Sequence, residues 1–171
     1  MPVPIINLGE LTLTPMPPGM APEGAACEKY GATMAYIGAQ LGARQLGYNV
    51  TQVEPGKSAF PFHCHRVNEE MFFILAGEGQ LRLGEDQHPI RSGDIIACPA
   101  GGPETAHQII NTGSEPLRFL AVSTRKTPEL AEYPDSGKFG VMAQYAGDDG
   151  KPQMFLHVGT REQNLPYWDG N

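Results

Sequence analysis

The chain has 171 residues, a net charge of −7, 21 glycines and 16 prolines. This length suits one domain with its own core, and the acidic balance argues against a nucleic-acid backbone as partner. So much glycine and proline points to short strands and turns rather than a helical bundle, and no apolar run approaches the roughly 18 residues of a membrane-spanning helix.

Residues 1–30 read as an irregular arm, because Pro2, Pro4, Pro15, Pro17, Pro18 and Pro22 lack the N–H that a central strand or helix needs. One short edge strand, Ile5–Leu13, is expected there, with a disordered tail as the alternative. No basic segment precedes an apolar stretch at the start, so no secretory signal is expected. Cys27, Cys64 and Cys98 are odd in number and widely spaced. They make neither a zinc pair nor a disulfide framework, and a cytoplasmic setting is the simplest expectation.

Residues 31–126 read as a β-domain. Candidate strands are Thr33–Ile37, Leu46–Val53, Ser58–His65, Glu70–Leu75, Gln80–Leu83, His88–Arg91, Asp94–Cys98, Ala106–Asn111 and Leu117–Ser123. Turn signals such as Pro55-Gly56, Gly77-Glu78-Gly79 and Ser92-Gly93 separate them, a spacing that suggests an antiparallel sandwich or barrel. Residues 127–171 read as an extension packed on that domain. Thr127–Tyr133 is expected to make a helical turn or two, with Pro128 in the first position. Phe139–Ala143 and Gln153–Val158 are candidate partners in a strand pair.

Two segments carry the chemistry. In the first, His63 and His65 stand two residues apart, so a strand would turn both imidazoles to one face and Cys64 to the other. Glu70 opens the next strand and can return a carboxylate to the same cavity. In the second, which begins at Gly93, His107 can supply a third imidazole. Imidazoles with a carboxylate suit a divalent transition metal such as Zn, Mn, Fe or Ni and suit Ca or Mg poorly. His88 and His157 lack such company and read as ordinary surface histidines. Cys64 and Cys98 read as packed thiols.

Gly56…His63-x-His65-x4-Glu70-x6-Gly77 and Gly93-x5-Pro99-x-Gly101…His107-x3-Asn111 resemble the two motifs of the cupin superfamily. The flanking pattern is similar to small single-domain bacterial cupins, many of which bear the name sugar-phosphate isomerase. The resemblance implies an all-β, single antiparallel jelly-roll barrel with one metal held by His63, His65, Glu70 and His107. Two departures stand out. Five residues, Gly102–Ala106, lie between Gly101 and His107 where the family has two, and one extra residue precedes His63. Glu69 competes with Glu70 as ligand, and the spacing to Gly77 favours Glu70.

Phe60, Phe62, Phe72, Ile74 and Phe119 are candidate apolar walls for the cavity, and Tyr48, Gln52, Gln108 and Arg125 are candidate polar ones. Of these, Tyr48, Gln52, Phe72 and Arg125 are taken as substrate-binding. Lys57, Arg66, Arg125 and Lys126 are candidate cations for a phosphate. The expected function is a metal-dependent enzyme on a small carbonyl or hydroxyl compound. It would be isomerase-like with Glu69 as catalytic base, or a dioxygenase with iron. A non-catalytic ligand-binding or sensing protein is the alternative. Exposed strand edges and the arm suggest a homodimer.

Overall fold

A computed structural model describes residues 5–170, and Pro2 and Pro4 lie outside them. The elements run β1 (Thr14–Pro15), α1 (Ala26–Lys29), β2 (Ala32–Tyr36), β3 (Leu46–Val53), β4 (Cys64–His65), β5 (Glu70–Ala76), β6 (Glu78–Leu83), β7 (Asp86–Arg91), β8 (Ile95–Cys98), β9 (His107–Ile110), β10 (Leu117–Thr124), β11 (Glu129–Tyr133), β12 (Lys138–Ala146) and β13 (Pro152–Thr160). All strand pairs are antiparallel, in sheets ordered β1-β2-β3-β10-β5-β8, β13-β12-β11-β4 and β7-β6-β9. The fold is an all-β jelly roll whose sheets do not close into a continuous ring.

Side-chain alternation builds the core. Val53, Phe72, Ile74, Ile96, Leu117 and Phe119 point from the six-stranded sheet onto Leu81, Ile90 and Ile109 of the three-stranded one. Full burial of each such side chain stabilises the fold by about 1.5–3 kcal/mol. The other face of the large sheet presents Ala35, Ile37 and Val50, and Ile6, Leu11 and Leu13 of the arm cover it.

Three local expectations fail for physical reasons. Ile5–Leu13 is not a strand. Asn7 accepts the Gly9 amide at 2.8 Å and caps a 3-10 turn over Leu8–Glu10, so pairing begins only at Thr14 opposite Met34. Ser58–His65 is not one continuous strand. Ser58 makes isolated bridges to Tyr30 and Ile110, and regular pairing is confined to Cys64–His65. Thr127–Tyr133 is not helical. Ala131 and Glu132 pair with His65 and Cys64 on one side, while β12 pairs on the other, so tertiary pairing overrides the local helix-start signal. The two apolar runs after Pro134 form β12 and β13, longer than the sequence suggests.

Gly77 joins β5 to β6 with φ +82°, and a Cβ there would lie 2.6 Å from the Pro116 carbonyl oxygen. Both the backbone angle and a backbone neighbour oppose any side chain. Gly77→Ala is therefore expected to cost about 2 kcal/mol or more, read as a lower denaturation midpoint at unchanged slope.

Candidate metal centre

The first two imidazoles come from one short run of chain. His63 and His107 exchange backbone hydrogen bonds, His63 N–H to His107 O at 3.2 Å and His107 N–H to His63 O at 2.8 Å. Directly opposed residues project to the same face, and the rings stand 4.8 Å apart. His65, two residues on, shares that face, with its ring 4.9 Å from His63. Glu70, first in β5 between Ser123 and Cys98, brings its carboxylate to 3.0 Å from His107 Nε2 and 3.4 Å from His65 Nε2. One ligand atom from each of the four lies within 4.8 Å of the others. Ligands on one ion at about 2.1 Å are at most about 4.2 Å apart, so this donor set is nearly closed around a point.

The ring nitrogens turned away from that point are held by the fold. His63 Nδ1 lies 2.8 Å from Pro61 O, and His107 Nδ1 lies 3.4 Å from Thr105 O. A proton on the His63 nitrogen that faces Pro61 O leaves the His63 Nε2 lone pair free to turn inward. His107 Nε2 and Glu70 Oε2 stand 3.0 Å apart, a distance at which they share a proton in a hydrogen bond, and a metal ion at the centre would replace that proton. The buried His65 Nδ1 has no hydrogen bond and sits 3.7 Å from Glu129 Oε2. The extra residues Gly102–Ala106 fold into a 3-10 turn over Pro103–Thr105, which sets the Thr105 carbonyl beside His107.

Comparison with known proteins agrees with this geometry. A family profile for the cupin domain matches residues 49–123. The structure of a Silicibacter pomeroyi sugar phosphate isomerase from a cupin superfamily superposes with TM-score 0.74 at 26% identity, covering 97% of this chain and 98% of that one. An Acidithiobacillus ferrooxidans structure, provisionally named a sugar phosphate isomerase, is 30% identical with TM-score 0.62, covering 73% and 76%. The chain belongs to the cupin superfamily. An oxalate-binding protein of Thermotoga maritima is 37% identical over 68 residues, 40% of this cupin and 54% of that protein. The cupin spans about half the length of the curated relatives it matches.

Burial, with the neighbouring His107 and His65, lowers the His63 pKa to about 4. Burial also opposes ionisation of Glu70, but hydrogen bonds from His107 and His65 outweigh it and hold the carboxyl well below its usual range. Burial likewise works against a charged His65, yet the Glu70 hydrogen bond and the Glu70 and Glu129 charges raise its pKa above the ordinary value. His65 is thus the first of these two imidazoles to take a proton as pH falls, and metal must displace that proton. Metal affinity is expected to fall by up to about tenfold per unit as pH drops below the His65 value, as chelator competition would show. Affinity independent of pH between about 7.5 and 5.5 would contradict this.

Two cavities meet at the donors. The smaller, about 250 Å³, is lined by His63, His65, Glu70 and His107 together with Phe60, Phe72, Gln108 and Phe119. The larger, about 510 Å³, holds Tyr48, Ser123, Arg125, Lys126 and Glu129, and both share Tyr36, Asn49, His65 and Glu70. Of the residues taken as substrate-binding, Phe72 lines the smaller cavity, and Tyr48 and Arg125 line the larger. Gln52 lies on the strand face opposite Asn49 and hydrogen-bonds Glu54 at 3.2 Å, outside both. Glu69, taken as catalytic base, is exposed and also lines neither cavity. Ile74 and Phe62 are buried away from both, the latter beneath Arg82. Lys57 donates to Cys27 O, and Arg66 pairs with Glu132, so Arg125 and Lys126 are the candidate cations that reach a cavity. Cys64 and Cys98 are buried free thiols, and burial pushes Cys98 up to about 12.

Sequence reasoning missed Tyr36, Asn49 and Glu129. Asn49 shares the inward face of β3 with buried Thr51 and Val53, a period-two signal that counting from either would have revealed. No helix among the described residues is long and apolar enough to cross a membrane.

Proposed function

We propose that this cupin is a metal-dependent enzyme acting on a small compound with neighbouring carbonyl and hydroxyl oxygens, its ion held by His63, His65, Glu70 and His107. The observation that carries the reading is the convergence of those four side chains within 4.8 Å at the junction of two cavities. A divalent transition ion in this ligand set would act as a Lewis acid on the substrate oxygens. The residues themselves hold the donors in place, through the Pro61 and Thr105 carbonyls and Glu129, and restrict water with the phenylalanine walls. Arg125 and Lys126, at the rim of the larger cavity, are placed to attract an anionic substituent. The sugar phosphate isomerase and oxalate-binding names of the relatives support a small oxygen-rich ligand.

A binding-only role is the second reading. It is favoured by the exposure of Glu69 and by Glu129, whose carboxylate already accepts hydrogen bonds from Val67, Asn68 and Leu130. Neither is thereby placed to serve as a base. Elemental analysis of the purified protein, followed by a turnover screen over hydroxy-carbonyl compounds with and without oxygen, separates the readings. Stoichiometric metal with turnover supports the enzyme, metal without turnover supports the binder, and absence of metal after loading overturns both.

A homodimer belongs to the same proposal. It is supported by β13, an edge strand with Met154, Phe155, Leu156 and Val158 exposed. A monomer by light scattering would count against it. The three free cysteines, of which Cys27 is exposed, support a cytoplasmic setting.

A further inference from the structure

The two cavities that meet at the donors differ in chemistry. Away from the donors, the smaller is walled by Met34, Phe60, Phe72, Ile109, Phe119 and Ala121. Five of these are buried, and Phe72 and Phe119 meet edge to face with centroids 5.7 Å apart. Its other polar side chains are Tyr36, Asn49 and Gln108, and the Tyr36 hydroxyl is directed at Met34 Sδ, 3.7 Å away. Gln108 donates its amide to Phe60 O at 2.8 Å, and Asn49 accepts from the Thr51 hydroxyl at 2.7 Å. A sugar hydroxyl placed against those walls would lose its water hydrogen bonds without replacement. The larger cavity offers Arg125, Lys126, Ser123 and Thr124 instead.

Building on the proposed function, we propose that the ligand carries an aromatic ring, seated in the smaller cavity, next to the oxygens that reach the donor cluster. Its substrate class is then an aryl-substituted hydroxy-carbonyl or oxo-acid compound, with the anionic end toward Arg125 and Lys126, rather than a polyhydroxylated sugar phosphate. The size agrees. Apolar protein cavities of about 150 Å³ admit benzene, and this one is about 250 Å³, enough for one ring and a few chelating atoms. Met20 of the arm also lines the cavity, yet it is 60% exposed and unbranched, which suits a cover over an apolar guest.

The test compares two metal chelators that differ by the ring, benzohydroxamate and acetohydroxamate, titrated calorimetrically into the metal-loaded protein, with glucose 6-phosphate as a third probe. Benzohydroxamate is expected to bind at least about tenfold more tightly than acetohydroxamate and to displace any bound sugar phosphate. Ala121→Leu, which fills the cavity, should bring the two affinities toward equality. Met20→Ala, at an exposed site where folding is not at stake, should weaken benzohydroxamate a few-fold. Equal affinities in the parent protein, or glucose 6-phosphate binding more tightly than benzohydroxamate, would overturn the ring assignment while the metal centre stands. A protein that takes up no metal would overturn both.

Discussion

Changing His63 and His65 together to alanine is expected to remove metal retention while leaving the fold intact. The His63–His107 bridge is made by backbone groups, so it survives loss of the imidazoles. Neither side chain belongs to a buried apolar cluster. The loss should be large, because removing even an outer hydrogen-bond partner of a ligand costs about 10–100-fold in affinity, and this variant removes two ligands outright. Elemental analysis after chelator dialysis, with circular dichroism as the folding control, gives the answer. His88 and His157 are exposed, and His157 packs beside Phe139 and Phe155. Replacing that pair should leave the metal content unchanged. Near-stoichiometric metal in the His63/His65 variant would refute the assignment.

Glu129→Ala should be the most damaging single substitution outside the donors. The side chain is 5% exposed. Its carboxylate accepts from Val67 N at 3.1 Å, Asn68 N at 2.9 Å, Leu130 N at 2.9 Å and the Asn68 amide. Alanine would leave these donors unmatched in a buried setting, at about 1–3 kcal/mol each where water cannot enter. A total loss of about 3–5 kcal/mol is expected, measured by denaturant unfolding of the metal-free protein. Because the same carboxylate sits 3.7 Å from His65 Nδ1, metal affinity should fall as well, by about 10–100-fold. A stability change below about 1 kcal/mol would show that Glu129 does not organise this corner.

The donor set was legible because strand geometry is local. A two-residue spacing fixes the shared face of His63 and His65 wherever the strand lies, and Glu70 opens a strand whose inward side is marked by Phe72 and Ile74. What surrounds the donors was less legible, because it depends on parity and on partners far along the chain. Gln52 is one residue out of phase with the inward face that Asn49, Thr51 and Val53 define. Glu69 is likewise the outward neighbour of Glu70. Glu129 was hidden because Thr127-Pro128 carries a helix-start signal, and only pairing with β4 and β12 makes that segment a strand. The five residues before His107 departed from the family spacing, yet a 3-10 turn absorbs them without moving the imidazole from its place opposite His63.

The chain separations within the centre bear on how it is loaded. Glu70 and His107 are 37 positions apart, and Asn68 reaches Glu129 across 61. Before the strands assemble, His63, His65 and Glu70 already lie within eight residues of one another, whereas His107 is 37 positions beyond Glu70 and joins them only when β9 is in place. An ion held by all four side chains would therefore depend on the folded barrel for its fourth donor, and the finished shape of the site, rather than the local motif alone, would discriminate among competing ions.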